Sequence, residues 1–214
     1  MLYAFFELSA FDKTLYDHCM DRLPNFRKAA IRRFSLEKDK IRSLCAYLLL
    51  CGCTGRVWEE FSYNENGKPF LPSREFQFSL THSSGCVGLA LSEQDIGIDA
   101  ETARKYHPGV PHRMFSTFEQ EQITSCTNPQ EMFFTLWTLK ESYVKAIGRG
   151  LTFPLREIEF TVNENGIACS DDRFFCFSER HGNEFISACS LLRHGGMLKS
   201  VNLSELISMW EKAS

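Results

Sequence analysis

The tetrapeptide Asn64-Glu65-Asn66-Gly67 recurs 99 residues later as Asn163-Glu164-Asn165-Gly166. Asn-Gly marks tight turns between strands, and a turn repeated at a fixed offset indicates a duplicated structural unit. Three further pairs of stretches keep this offset without a gap. They are the apolar residues 76–78 and 175–177, residues 87–92 and 186–191, and the helical patterns at 37–51 and 136–150. We therefore predict an α+β fold of two similar halves, with two unrelated Asn-Gly turns as the alternative.

The two predicted halves meet near residues 102–111, a loop with two prolines and a glycine. We assign residues 1–101 to an N-terminal half and residues 102–214 to a C-terminal half, related by a pseudo-twofold axis. Halves packed face to face leave a cleft, which is a common place for a ligand. We also predict helices at 130–147 and 204–212 and strands at 86–91 and 96–101. A further helix is predicted to start at Thr117, with a capping box between Thr117 and Gln120.

The composition is that of a globular protein, with 43% of its 214 residues hydrophobic and a formal net charge of −3. A slightly acidic chain lacks the broad basic surface that nucleic acids require. The nine cysteines form no C-x-x-C pair, which argues against a zinc site or a disulfide framework. Residues 1–7 have no basic leader, and the longest apolar run, residues 47–51, is too short for a bilayer. We predict a cytoplasmic monomer that binds neither nucleic acid nor membrane.

Two carboxylates lie in the predicted strand Gly97-Ile98-Asp99-Ala100-Glu101. Because side chains alternate along a strand, Asp99 and Glu101 face the same side, about 7 Å apart. Carboxylate oxygens without histidine or cysteine suit Mg²⁺ together with phosphate oxygens. The alternative is a solvated strand end, neutralised by nearby Arg104 or Lys105.

A second charged group lies in the predicted helix Trp137-Thr138-Leu139-Lys140-Glu141-Ser142-Tyr143-Val144-Lys145. Glu141 and Lys145 are one turn apart on one face, whereas Lys140 points about 100° away from Glu141. The alternative is an exposed ion pair that contributes little to stability. The apolar neighbours favour a cleft over open water; they are Phe134, Trp137 and Val144.

The first half supplies a histidine and several bases. His82 follows the apolar strand pattern in a hydroxyl-rich turn, and basic residues recur nearby. These bases are Arg27, Lys28, Arg32, Arg33, Arg42 and Lys68. A local basic set on an acidic chain complements a polyphosphate ligand held across the cleft from the carboxylates. The alternative is a surface histidine among scattered surface bases.

These segments resemble the 4′-phosphopantetheinyl transferases, specifically the longer surfactin-type branch with two similar α+β halves in one chain. The resemblance covers most of residues 27–151 and rests on four motifs in order. They are Gly67-Lys68-Pro69, Phe78-Ser79-Leu80-Thr81-His82-Ser83, Gly97-Ile98-Asp99-Ala100-Glu101, and the helix 137–145 followed by Gly148-Arg149-Gly150-Leu151.

The resemblance implies that coenzyme A donates its phosphopantetheine group to a serine of an apo acyl or peptidyl carrier protein, releasing adenosine 3′,5′-bisphosphate. It implies Mg²⁺ as cofactor, held by Asp99, Glu101 and Glu141, with Glu141 or a metal-bound water as base. The implied catalytic residues are Asp99, Glu141 and Lys145, of which Lys145 neutralises phosphate charge. The residues implied to bind coenzyme A are Arg27, Arg42, Lys68, Pro69, Thr81, His82, Lys140 and Lys145. The N-terminal half would thus grip the nucleotide, and the C-terminal half would carry the metal and the catalytic helix.

Two other functions are consistent with the same residues. One is a non-catalytic regulator that binds coenzyme A or a carrier protein, although a regulator has no physical need for crowded charges around a metal site. The other is a metal-dependent nuclease, against which the net charge of −3 argues.

Overall fold

A computed structural model describes residues 1–105, 114–193 and 197–214. Its helices are α1 (Lys13–Asp21), α2 (Asn25–Arg32), α3 (Glu37–Thr54), α4 (Thr117–Ser125), α5 (Pro129–Ile147) and α6 (Leu203–Ala213). Its strands are β1 (Leu2–Phe5), β2 (Ser62–Tyr63), β3 (Pro69–Phe70), β4 (Gln77–His82), β5 (Val87–Ser92), β6 (Ile96–Thr102), β7 (Phe160–Asn163), β8 (Gly166–Cys169), β9 (Phe175–His181), β10 (Glu184–Ser190) and β11 (Leu198–Val201). Residues 106–111 of the predicted boundary loop lie outside the described residues.

The order of the elements repeats along the chain. Helix α3 is followed by the hairpins β2-β3 and β4-β5, and helix α5 by the hairpins β7-β8 and β9-β10. In the first sheet β5 lies between β1 and β4, and in the second β10 lies between β6 and β9, with every one of these pairs antiparallel. This confirms the predicted α+β fold of two similar halves.

Strand pairing assigns β6 to the second sheet. That strand pairs with β10 over its whole length, from Ile96 opposite Ser190 to Thr102 opposite Glu184. The C-terminal elements return to the first half, where β11 pairs with β1 and the indole of Trp210 on α6 packs against Tyr47. The division into an N-terminal half that ends at residue 101 and a C-terminal half stays a prediction. Strand β6, most of which falls in the predicted N-terminal half, pairs within the second sheet.

Most predicted elements are present, with shifted ends. Helix α3 continues to Thr54 because Gly55, not an earlier residue, adopts the left-handed conformation that ends it, and Gly148 ends α5 in the same way. Helix α4 does begin at Thr117, but its capping box joins Ser116 to Glu119, so the predicted Thr117–Gln120 box is wrong. No helix in the described part of the chain is long and apolar enough to cross a membrane.

Strand β6 joins the two halves at the centre of the molecule. The hydroxyls of Ser79 and Thr81 on β4 accept hydrogen bonds from the backbone N–H groups of Ile98 and Ala100, at 3.2 and 3.1 Å. On its other face a Cβ at Gly97 would overlap the carbonyl oxygen of Ser142 on α5. Only glycine allows this approach, and it brings the carboxylates of β6 against the predicted catalytic helix.

Candidate functional site

Asp99 and Lys145 form the centre of the site, where β6 meets α5. The Lys145 ammonium lies 2.6 Å from Asp99 Oδ1 and donates a hydrogen bond to Thr81 Oγ1 at 3.2 Å. The lysine side chain keeps 32% of its surface exposed, whereas the aspartate keeps 10%. The aspartate is therefore largely buried, and the lysine is the partner that faces solvent.

The two oxygens of Asp99 differ in their hydrogen bonds. Asp99 Oδ2 is buried and makes no hydrogen bond within the described residues. A buried carboxylate oxygen without a donor is costly, so such an atom indicates a place for a bound cation, water or ligand. Lys145 donates to Asp99 Oδ1, which leaves Oδ2 as the oxygen that can bind a further partner.

Glu101 lies two residues along β6 from Asp99. The indole Nε1–H of Trp137 donates to Glu101 Oε1 at 3.2 Å, and Arg104 lies 3.9 Å from Oε2. Burial and the negative charge of Asp99 raise the pKa of Glu101. The contact from Trp137 orients this carboxylate, a role that the sequence analysis did not assign to the tryptophan.

Glu141 is the third carboxylate, one turn before Lys145 on α5. Burial raises its pKa first, and the charges of Asp99 and Glu101 raise it further, while Lys145 acts in the opposite direction. The three predicted acids therefore feel one another's charge, as expected for residues that face one cleft. A raised pKa makes Glu141 a stronger base than an ordinary carboxylate once it is ionised.

Within the described ranges, no group of three or more histidine, cysteine or acidic side chains is gathered closely enough to hold a metal ion. The three carboxylates therefore stay a predicted ligand set. Two observations nevertheless fit a hard cation such as Mg²⁺. The donors are carboxylate oxygens without histidine or cysteine, and the buried Asp99 Oδ2 has no hydrogen-bond partner among residues 1–105, 114–193 and 197–214. The residues present thus fit the ion that the family pattern implies.

A basic group lies on the first-half side of the cleft. Arg42 on α3 pairs with Asp39 at 2.8 Å and reaches the carbonyl oxygen of Ser84 at 3.4 Å. The surrounding protein desolvates the imidazole of His82, and the cations Arg42 and Lys145 add to this, so the pKa of His82 is lowered. His82 thus lies near both cations while remaining exposed to solvent.

Two predicted clamp residues are engaged in contacts within the protein. Arg27 donates to Ser43 Oγ at 2.7 Å, lies over the ring of Tyr47, and has its pKa lowered by burial. Lys68 donates to the carbonyl oxygens of Ala146 and Ile96, at 2.9 and 3.2 Å, so it ties the end of α5 to the start of β6. Their contacts with coenzyme A stay predictions.

Lys140 does not reach the cleft. Its side chain is 0% exposed and pairs at 2.7 Å with Glu119, which is also 0% exposed. Its ammonium also donates to the carbonyl oxygens of Leu155 and Ile158 in the core of the second half. The prediction that Lys140 binds coenzyme A is therefore wrong, because a fully buried and fully partnered ammonium cannot contact a ligand.

A cavity lies beside Lys145, between the halves. Its volume is about 210 Å³. The first half lines it with the predicted motif Gly67-Lys68-Pro69 and with residues 78–80, and the second half with Val144, Lys145 and Gly148. Two of the predicted motifs thus meet the predicted catalytic helix around one cavity, which the sequence alone could not show.

Comparison with known proteins identifies the class of this site. The model of the 4′-phosphopantetheinyl transferase superfamily matches residues 95–189, which include β6, α5 and the three carboxylates. The chain is 30% identical to the 4′-phosphopantetheinyl transferase gsp of Aneurinibacillus migulanus over 162 residues, which cover 72% of this chain and 67% of that relative. It is 29% identical to the 4′-phosphopantetheinyl transferase ffp of Bacillus subtilis over 168 residues, 72% of this chain and 75% of that one.

The chain belongs to the 4′-phosphopantetheinyl transferase superfamily. This confirms the family and the enzyme class that the four motifs predict. Among solved structures, the holo-[acyl-carrier-protein] synthase of Thermotoga maritima aligns with a TM-score of 0.41 and 18% identity, over 47% of this chain and 64% of that one. The assignment rests on the sequence matches.

Proposed function

We propose that this protein transfers the 4′-phosphopantetheine group of coenzyme A to a serine hydroxyl of an acyl or peptidyl carrier protein, releasing adenosine 3′,5′-bisphosphate. The observation that carries the proposal is the Asp99–Lys145 pair in the cleft, with Glu141 one turn away and one aspartate oxygen open. Phosphoryl transfer depends on positioning and charge neutralisation more than on covalent chemistry by the protein. A cation, a base and open carboxylate oxygens in one cleft supply these requirements.

The bonds change as follows. The serine oxygen attacks the phosphorus attached to pantetheine, and the bond from that phosphorus to the bridging oxygen breaks. The serine proton passes to the carboxylate of Glu141, whose pKa is raised by burial and by its acidic neighbours. The departing bridging oxygen carries negative charge, which the ammonium of Lys145 neutralises from the solvent side of the cleft.

Asp99, Glu101 and Glu141 would hold Mg²⁺. When bound, this ion supplies positive charge that neutralises the diphosphate. Lys145 holds Asp99 Oδ1, so the free Oδ2 is the aspartate atom available to the ion. Trp137 fixes the orientation of Glu101 through its indole N–H, which places that carboxylate for the same task.

We propose that the nucleotide end of coenzyme A lies on the first-half side of the site. The cavity beside Lys145 is lined by Lys68 and Pro69, and Arg42, Thr81 and His82 lie on the same side of the cleft. Guanidinium and ammonium groups there complement the phosphates of the donor. We further propose that the protein is a cytoplasmic monomer that acts on a carrier protein and binds neither nucleic acid nor membrane.

Intact-protein mass spectrometry tests the activity. Several apo acyl and peptidyl carriers are incubated with coenzyme A, Mg²⁺ and the protein, and a gain of about 340 Da, the mass of one phosphopantetheine group, is expected on the serine. A carrier with that serine replaced by alanine should gain nothing, and an authentic transferase serves as positive control. If no carrier gains mass while the protein binds coenzyme A in calorimetry, the non-catalytic regulator replaces this proposal.

A further inference from the structure

Glu184, the first residue of β10, is a buried acid with a role that the site does not yet explain. The residue is 6% exposed and accepts hydrogen bonds from side chains of both halves. Ser83 Oγ donates to its Oε2, and Thr102 Oγ1 donates to its Oε1 at 2.8 Å. Cys86 Sγ lies 3.8 Å from Oε2. Glu184 thus occupies the junction of one turn from the first half and one strand end from the second.

The two segments that Glu184 joins each carry a residue of the site. Ser83 directly follows His82, and Thr102 directly follows Glu101. The turn after His82 is further tied to β6 by a hydrogen bond from the backbone N–H of Ser84 to Thr102 Oγ1, at 2.9 Å. The carbonyl oxygen of Ser84 in turn contacts Arg42. A continuous polar network therefore leads from Glu184 to Arg42, and His82 directly precedes Ser83, a member of that network.

The neighbouring glycine shows how closely the turn fits this carboxylate. A Cβ at Gly85 would overlap Glu184 Oε1, so a side chain at this position would displace the carboxylate or the turn. Within the turn, the backbone N–H groups of Gly85 and Cys86 both donate to Ser83 Oγ, the hydroxyl that donates to Glu184. The Ser83 hydroxyl therefore links the backbone of the turn to the carboxylate of Glu184.

We propose that Glu184 is a positioning residue that holds the 83–86 turn against the end of β6 and thereby fixes His82 and Arg42 for the donor. This inference rests on the proposed function, because it assigns those two residues to coenzyme A. Thr102 is held by the pairing of β6 with β10, and the 83–86 turn closes the β4–β5 hairpin with a hydrogen bond from Ser83 N–H to the Cys86 carbonyl oxygen. The contact between this turn and Thr102, in contrast, depends on side chains, namely Glu184 and the Thr102 hydroxyl. Loss of Glu184 should therefore release the turn and leave Asp99 and Glu101 in place.

The experiment compares the natural protein with Glu184→Ala, Glu184→Gln and a matched control, Glu179→Ala, an exposed acid on the neighbouring strand β9. Hydrogen–deuterium exchange measures the turn without reference to activity. In Glu184→Ala, amides of residues 83–86 should exchange about tenfold faster or more, while those of α5 stay unchanged. Calorimetry should show coenzyme A binding weakened about tenfold or more, and the Mg²⁺ concentration for half-maximal activity should change less than about twofold.

Glu184→Gln keeps the size and one acceptor oxygen, so it should retain most of the natural protection and affinity; Glu179→Ala should match the natural protein in both. Unchanged exchange at residues 83–86 in Glu184→Ala overturns the proposal, whatever the activity. Faster exchange with unchanged coenzyme A affinity also overturns it, because the acid then holds the turn without positioning the donor site. If the natural protein itself fails to bind coenzyme A, the proposed function fails and the donor role of Glu184 fails with it, while exchange still reports on the turn.

Discussion

Helix α5 carries two lysine–carboxylate pairs that look alike in distance and differ in almost everything else. Lys140 lies 2.7 Å from Glu119, and Lys145 lies 2.6 Å from Asp99. The first pair is 0% exposed on both sides, whereas the second is exposed by 32% and 10%. The five-residue spacing turns the two lysines to different faces of one helix, one toward the core of the second half and one toward the cleft.

The two pairs also differ in how fully their atoms are satisfied. Glu119 accepts hydrogen bonds from the backbone N–H groups of Ser116 and Phe160, and Lys140 donates to two backbone carbonyls, so this pair is saturated. Asp99 keeps one buried oxygen that has no hydrogen-bond partner in the described part of the chain. A saturated pair fixes structure, and an unsaturated pair leaves bonding capacity for a ligand. The contrast separates the structural Lys140 from Lys145, to which we assign a functional role in the proposed mechanism.

The largest effect should come from removing a carboxylate of the cleft. Asp99→Ala and Glu141→Gln should each lower kcat/KM by ~10³-fold or more, about 4 kcal/mol, because the charge that binds the donor's counter-ion or takes the proton is lost. Both variants should still fold, because Glu141→Gln keeps the shape of the side chain and Lys145, left by Asp99→Ala, is 32% exposed. Steady-state kinetics at saturating Mg²⁺ measures this, with Glu93→Ala in the turn before β6 as control. Retention of more than about a tenth of the activity would show that the residue has another role.

The opposite outcome is expected for the core pair. Glu119→Ala should lower the free energy of unfolding by about 3 kcal/mol, because it leaves the buried ammonium of Lys140 unpaired. Burial lowers the pKa of Lys140, and the negative charge of Glu119 acts in the opposite direction. Urea unfolding measures the loss, and Glu121→Ala, an exposed acid on the same helix, should change it by less than about 0.5 kcal/mol. A stable Glu119→Ala protein that binds coenzyme A less tightly would instead place Lys140 in the donor site.

The sequence allowed much of this molecule to be predicted, because its main signals are local. The repeated Asn-Gly turn predicted the paired hairpins, and alternation along residues 96–101 predicted that Asp99 and Glu101 share a side. The direction of Lys140 could not be predicted, since its partner Glu119 is distant in sequence and lies on another helix. The network around Glu184 was missed for the same reason: its donors Ser83 and Cys86 are about a hundred residues away.

A smaller effect is expected from Arg42, which we propose binds a phosphate of coenzyme A. Arg42 is one repeat offset from Glu141, so the equivalent helices α3 and α5 present a cation and an acid to the same cleft. A guanidinium on a phosphate contributes about 1.5–3 kcal/mol, or roughly ten- to a hundredfold in affinity. Coenzyme A should therefore bind more tightly than dephospho-coenzyme A, which lacks the 3′-phosphate, and Arg42→Ala should reduce that preference.

Calorimetry of both ligands against both proteins isolates the coupling between Arg42 and the 3′-phosphate. Lys38→Ala removes a cation from an exposed position of the same helix and should leave the preference unchanged. Equal discrimination by the natural protein and Arg42→Ala would transfer the phosphate contact to Arg27, Lys28 or His82.

The smallest expected effect is on how the free energy of unfolding depends on pH. The pKa of Glu141 is raised above its ordinary value of 4.5, so the folded protein favours its protonated form. Its favourable contribution is therefore complete below pH 4.5 and is lost as the pH rises through the raised value. Glu141→Gln, which is always neutral, should be more stable than the natural protein at pH 7, and this gain should disappear below pH 4.5.

Asp171 should show a pH dependence of the opposite sign, because hydrogen bonds from Arg173 lower its pKa to about 2. Asp171→Asn should cost stability at neutral pH, with the difference lost as the pH falls from 3.8 through about 2. Urea unfolding across this pH range measures both variants, and a Glu141→Gln protein no more stable than the natural one at pH 7 would show that Glu141 carries no electrostatic strain in the cleft.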